Sequence, residues 1–282
     1  MGSIKPRPRQ PAYRMPPPKA HKQQPLPRWL KRKEILLGVG GLLGLFLLLH
    51  VFGHHGSQIA ADGNASHAGK VNTAVFDKQQ FSLTSASSLW DVVNKRRPLN
   101  PLHYAPAHLA TPSMPMRDNI TDDEAQVSAA MAPALQQMVT AATQDGLTLV
   151  LESGYRSYGF QTNLYNNYVA EQGNAMAESE SAHPGYSEHQ TGLAVDLGGT
   201  SNPDCTLQSC FDATAEGSWL MSNAYKYGFI LRYPKGKENI TGYTYEPWHF
   251  RYVGTSLSLQ MHKQGALTME EFFGLGAAPN YR

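Results

Sequence analysis

Residues 187–199 read SEHQTGLAVDLGG. The stretch sets a histidine, His189, seven positions before an aspartate, Asp196, with glycine and small apolar residues between them. On an ideal helix two such residues stand two turns apart on one face. Gly192 and the closing Gly198-Gly199 oppose a helix. The spacing therefore predicts a loop histidine and a strand aspartate: Gly185 to Gly199 reads as a loop running into a strand, LAVDL, stopped by the two glycines.

Working outward, LTLVLESG (147–154) is a predicted strand, and FQTNLYNNYVAEQG (160–173) a helix whose apolar positions repeat at three and four. EGSWLMSNAYKYG (216–228) reads as helix, and FILRYP (229–234) and WHFRYVG (248–254) as strands. Thr121-Asp122-Asp123-Glu124 has the form of a capping box. It is expected to open a helix through about Thr143, with Val127, Met131, Leu135, Met138 and Val139 on one face and Pro133 bending it or marking its true start. SLWDVVN (88–94) looks like a short strand, and Pro98, Pro101, Pro106 and Pro112 hold the next stretch extended. A last helix is expected at Thr268, with Glu271 three residues on. Short strands and helices that do not strictly alternate predict an α+β fold, a small antiparallel sheet flanked by helices.

The 282-residue chain carries a formal charge of +2, unevenly spread. Residues 1–34 hold ten of the 24 Lys and Arg and one acid, Glu34, which leaves 14 basic and 21 acidic residues over 35–282, a net of −7. A body of that sign argues against a nucleic-acid partner. Eight of the 19 prolines also lie in residues 1–34, so this segment reads as a solvated, basic, Pro-rich cytoplasmic tail. Next comes ILLGVGGLLGLFLLLHVF (35–52), 18 residues in which His50 is the one polar side chain. That is long enough for a membrane span, and the WLKRK before it should stay cytoplasmic. We read a single transmembrane signal anchor, in preference to a signal peptide cleaved near IAADGNASHA. The Gly-, Ala-, Ser- and His-rich residues 53–87 form a linker, and 88–282 is an extracytoplasmic domain. In that setting Cys205 and Cys210, with no second Cys or His pair close by to complete a metal site, are expected to form a disulfide worth ~2 kcal/mol.

Most of the 11 histidines read as ordinary surface residues. His189 and His249 differ in their neighbours. Zinc peptidase chemistry wants three protein ligands and one open position, together with a carboxylate outside the ligand set to move protons. His189 and Asp196, then Glu246 and His249 in YEPWHF, offer these parts once each. Positions three apart on a regular strand face opposite sides, so Glu246 and His249 can share a site only if Pro247 breaks the strand between them. Spacing alone leaves both a zinc site and ordinary structural roles open.

The pattern SxHxxGxAxD, Ser187 to Asp196, followed by ExxH, Glu246 to His249, resembles the VanY-like D-alanyl-D-alanine carboxypeptidase family, within the lysostaphin-like and hedgehog-like zinc peptidases. SGYRSYGFQ (153–161), NAYKYGFILRYP (223–234) and EPWHFRYVG (246–254) fit the same family, and the similarity runs from about Asn94 to Phe273. The resemblance implies one zinc ion per chain on His189, Asp196 and His249, with Glu246 as base. It implies that Arg156 polarises the scissile carbonyl or pairs with a terminal carboxylate, and that Gln161, Ser187 and Trp248 bind substrate; His183 and Tyr186 flank the site. The expected activity is removal of the terminal D-alanine from peptidoglycan stem peptides by a membrane-tethered enzyme. An L,D-carboxypeptidase or endopeptidase on the same polymer is the alternative, and a cell-wall-binding module the non-enzymatic one.

Overall fold

A computed structural model describes residues 76–281. The expected tail (1–34), the anchor (35–52) and most of the linker lie outside the described residues. Among the described residues no helix is long and apolar enough to cross a membrane.

In chain order the main elements are β1 (Leu109–Ala110), β2 (Val127–Ser128), α1 (Ala132–Gln144), β3 (Leu149–Ser153), α2 (Tyr158–Gln172) and α3 (Asn174–Glu180). A 3-10 turn (Glu188–Thr191) leads into β4 (Ala194–Gly199), followed by α4 (Ala215–Asn223), β5 (Phe229–Leu231) and α5 (Glu238–Thr241). The chain closes with β6 (His249–Tyr252), α6 (Thr255–Gln264) and α7 (Met269–Phe273). β1 and β2 pair by themselves, and the principal sheet has the order β3-β4-β6-β5 with every pairing antiparallel. This is the α+β architecture expected from the sequence.

Alternation along the two central strands decides what the sheet can carry. Val195 and Leu197 of β4 and Phe250 of β6 join the main core with Leu149 and Leu151 of β3, against Leu135, Met138 and Val139 of α1. Their neighbours Ala194, Asp196, His249 and Arg251 take the other face, because successive strand residues point to opposite sides. A second core gathers Trp90, Val92, Ile230, Val253, Leu257, Met261, Met269 and Phe272.

Three expectations are corrected. The helix opens at Ala132, with Pro133 in its first turn where a missing N–H costs nothing. Thr121 and Glu124 do form their capping bonds, but on an isolated turn, and Val127 pairs with Ala110 as strand. SLWDVVN is not a strand: its backbone acceptors go to arginine side chains, Leu89 and Asp91 to Arg251, Val92 to Arg97 and Val93 to Arg232. The folded unit also takes in residues 76–87 of the expected linker, since Phe76 stacks on Trp90 at 5.4 Å and Ala86 is buried. Cys205 and Cys210 are joined as a disulfide between β4 and α4.

Candidate metal and catalytic site

Strand register makes the first contact of the site. Asp196 on β4 lies directly opposite His249 on β6, so both side chains leave the same face. Asp196 Oδ1 is 3.3 Å from His249 Nδ1. His189 arrives from the 3-10 turn before β4, and its Nε2 is 3.3 Å from Asp196 Oδ2. That turn ends at Gly192 with φ +68, a left-handed backbone that glycine adopts without strain, and a Cβ there would sit 2.9 Å from Ser128 N. Glu246 precedes β6. His249 N donates to its carbonyl in a turn (3.2 Å), which brings Glu246 Oε2 to 3.4 Å from His249 Nδ1. Pro247 thus separates the acid from the strand, and residues three apart share one site.

His189 Nδ1 lies 2.6 Å from the carbonyl of Gly154. A carbonyl only accepts, so Nδ1 carries the proton and Nε2 presents a lone pair to Asp196. Gly154 has no substitute here, because a Cβ would lie 2.2 Å from the Gln126 carbonyl. Burial and the nearby Arg156 charge push His189 below the usual imidazole range, which keeps that lone pair available. Burial opposes charge on His249 as well, but Asp196, Glu188 and Glu246 outweigh it and hold that ring well above its ordinary value. Against its own burial, Asp196 is held well below the carboxylate range by His189 and His249. Glu246 is raised by burial, against the lowering effect of His249.

These residues fit a metal. One ligand atom from each of His189, Asp196 and His249 can be chosen so that all lie within 4.8 Å of one another. His189 Nε2 and Asp196 Oδ1 are buried and make no hydrogen bond, which a cation bound between them would remedy. Three carboxylates converging on one imidazole draw positive charge, and a divalent cation supplies it as well as a proton does. Two imidazoles and one carboxylate, with a second acid, Glu246, beside them, form the donor set of a mononuclear metallopeptidase.

The other expected residues divide. Arg156 donates its backbone N–H to the His189 carbonyl (3.2 Å), its charge acts on His189 and Glu246, and its Nε is buried with no hydrogen bond. Gln161 is buried on α2 and donates to Ser181 and Ala182, which leaves its Oε1 without a partner. Ser187 is buried at the start of the turn that carries His189. Trp248, in the turn just before β6, is half-buried and packs against the main core. His183 stacks on Tyr281 at 3.7 Å and lies 2.9 Å from the Tyr165 hydroxyl. Sequence reasoning missed Glu188, fully buried behind His249, with Oε2 3.6 Å from Nε2 of that ring. The one signal was its place beside His189, and adjacency alone carries no chemistry.

The fold and donor set define a zinc-peptidase class, and the comparisons name the family. The chain belongs to the VanY family of D-alanyl-D-alanine carboxypeptidases, whose model matches residues 124–255. It is 41% identical over 192 residues to the putative carboxypeptidase YodJ of Bacillus subtilis (strain 168), covering 68% of this chain and 69% of that protein. Among solved structures it is similar to the LdcB LD-carboxypeptidase, with a TM-score of 0.63 and 42% identity over 67% of this chain and 87% of that one. It is also similar to a variant of the D,D-pentapeptidase VanY from a VanB-type vancomycin resistance cassette, solved in complex with Zn(II). There the TM-score is 0.52 and the identity 34%, over 64% of this chain and 96% of the other.

Proposed function

We propose that this protein is a zinc-dependent carboxypeptidase that hydrolyses the terminal D-alanine from peptidoglycan stem peptides, acting outside the cell from a single N-terminal anchor at residues 35–52. The observation that carries it is the convergence of His189, Asp196 and His249 within 4.8 Å, with Glu246 beside them. Supporting the location are the 18-residue apolar run and its basic flank.

His189, Asp196 and His249 would hold the zinc ion. Bound there, it supplies the Lewis acidity that makes water nucleophilic at neutral pH. Glu246, whose carboxyl is raised by burial, would take a proton from the attacking water and return it to the leaving amine. Arg156, whose charge acts on both His189 and Glu246, would supply fixed positive charge where the scissile carbonyl becomes an oxyanion. Gln161 Oε1 and the Ser187 hydroxyl are left to hold the D-alanine end.

The test is release of D-alanine by the full-length chain from muropeptides, abolished by a chelator and restored by zinc. Glu246→Gln should retain zinc and lose ~10²–10⁴-fold in kcat; undiminished turnover in that variant would remove the base from the mechanism. Similarity to an LD-carboxypeptidase at 42% identity favours a second reading, removal of D-alanine from tetrapeptides. Parallel assays on pentapeptide and tetrapeptide substrates separate the two, and cleaved cross-linked dimers would indicate an endopeptidase.

A further inference from the structure

Behind His249 lies a cluster of four fully buried ionic side chains: Glu188, Arg232, Arg251 and Glu270. Glu188 Oε1 accepts from Arg232 Nε at 2.8 Å and lies 2.9 Å from Arg251 Nη1. Arg232 turns its other edge to Glu270 in a paired contact of 3.0 and 2.8 Å, and Asn94 donates to Glu270 from the other side at 2.9 Å. Burying four charges is a poor way to stabilise a fold, because a well-packed apolar set of similar volume does as well or better. The cluster therefore needs another reason.

That reason lies in two atoms that nothing else satisfies. Glu188 Oε2 and His249 Nε2 are both buried and without a hydrogen bond, and they face each other at 3.6 Å. On the far side of the ring, Nδ1 faces Asp196 and Glu246. Asp196 and Glu246 on the Nδ1 side attract a cation as they would a proton, so with a divalent ion held there Nδ1 is its donor and the ring's one proton sits on Nε2, facing Glu188.

We propose that Glu188 is a positioning residue for the zinc centre: clamped by Arg232 and Arg251, its free oxygen fixes His249 as the Nε2–H tautomer and so makes Nδ1 the donor atom. This rests on the assignment of His249 as a zinc ligand. The two guanidiniums hold one carboxylate oxygen, and the other is left for the imidazole. A glutamine at 188 cannot do both jobs. Its single acceptor oxygen goes to the arginines, and its NH2 then faces Nε2 and demands the lone pair there. The ring would flip its proton to Nδ1 and point it at the metal site.

Glu188→Gln should therefore bind zinc ~10- to 100-fold more weakly, the usual effect of losing such an outer partner, in competition against a chromophoric chelator with the full-length chain. Glu270→Gln is the control. It breaks the same cluster on the side away from His249, so it should lower the melting temperature and leave zinc affinity within about threefold of wild type. Equal loss of affinity in both variants, or none in Glu188→Gln, would overturn the proposal. Nitrogen-15 spectra of histidine in the unmodified, zinc-loaded protein need no variant to fold. Metallated Nδ1 with protonated Nε2 on His249 is expected. The reverse arrangement refutes the role of Glu188 alone, whereas an unmetallated His249 refutes the zinc assignment and this inference with it.

Discussion

On one face of β4 and β6 stand Val195, Leu197 and Phe250; on the other, one residue along, stand Asp196, His249 and Arg251. The same two strands supply both sets. On the first face, side chains of the right size fill a core, and their energy depends on volume removed from water. On the second, every polar atom needs a named partner, and its energy depends on whether that partner is in place. A core residue can thus be exchanged for another of similar shape, whereas Asp196, His189, Glu188 and Arg251 constrain one another atom by atom.

Substitutions on the two faces should separate these energies. The largest effect is expected at Asp196→Asn, which keeps the shape and removes the anionic donor. The variant should fold, lose its zinc on dialysis as read by metal analysis, and fall by roughly 10³-fold or more in activity. Its neighbour Leu197, fully buried in the main core, should behave in the opposite way. Leu197→Ala is expected to cost ~2–5 kcal/mol in urea denaturation while the folded protein still binds one zinc. Zinc loss in Leu197→Ala at temperatures where it remains folded would show that the two faces are coupled.

Gly192 lies between these extremes, because it shapes the turn that carries His189. With φ +68, and with Ser128 N only 2.9 Å from where a methyl group would sit, Gly192→Ala should cost about 1–3 kcal/mol and also weaken zinc binding. Stability loss with unchanged zinc affinity would mean that His189 is fixed by Gly154 alone.

The smallest effect concerns Glu152, whose side chain lies over Gly198 on the site face. Burial pushes its carboxyl up to about 7, with Arg117 opposing and Asp196 reinforcing. The folded protein keeps a proton there that the unfolded chain sheds near the ordinary glutamate value of 4.5. The stabilising contribution is complete below that pH and is lost as pH rises through 7. Metal-free Glu152→Gln should match wild type near pH 4.5 and be more stable at pH 8, by about 1–2 kcal/mol after allowance for solvent screening. Equal denaturation midpoints at pH 8 would show that the carboxyl ionises without penalty.

Strands and helices with strong local patterns are legible in the sequence: LTLVLESG, LAVDL and the 160–173 helix fall where their periodicity places them. SLWDVVN reads locally as a strand, but its fate is settled by Arg232 and Arg251, about 140 and 160 residues away, whose guanidiniums take the carbonyls a neighbouring strand would have used. Glu188 escapes notice for a similar reason. Its partners Arg232, Arg251 and His249 are remote in sequence, and no local pattern marks a residue whose work is done behind a ligand.

The amino-acid order by itself determined which groups are available: two imidazoles, two carboxylates, the glycines that let the chain turn beside them, and the resemblance that joins them to one chemistry. The tertiary structure alone decided which atom of each group faces which, because antiparallel register, and not spacing along the chain, sets Asp196 against His249 and seats a clamped carboxylate behind the ring. Residue identity is a local property of the chain. The direction of a lone pair is fixed only once distant segments have packed around it.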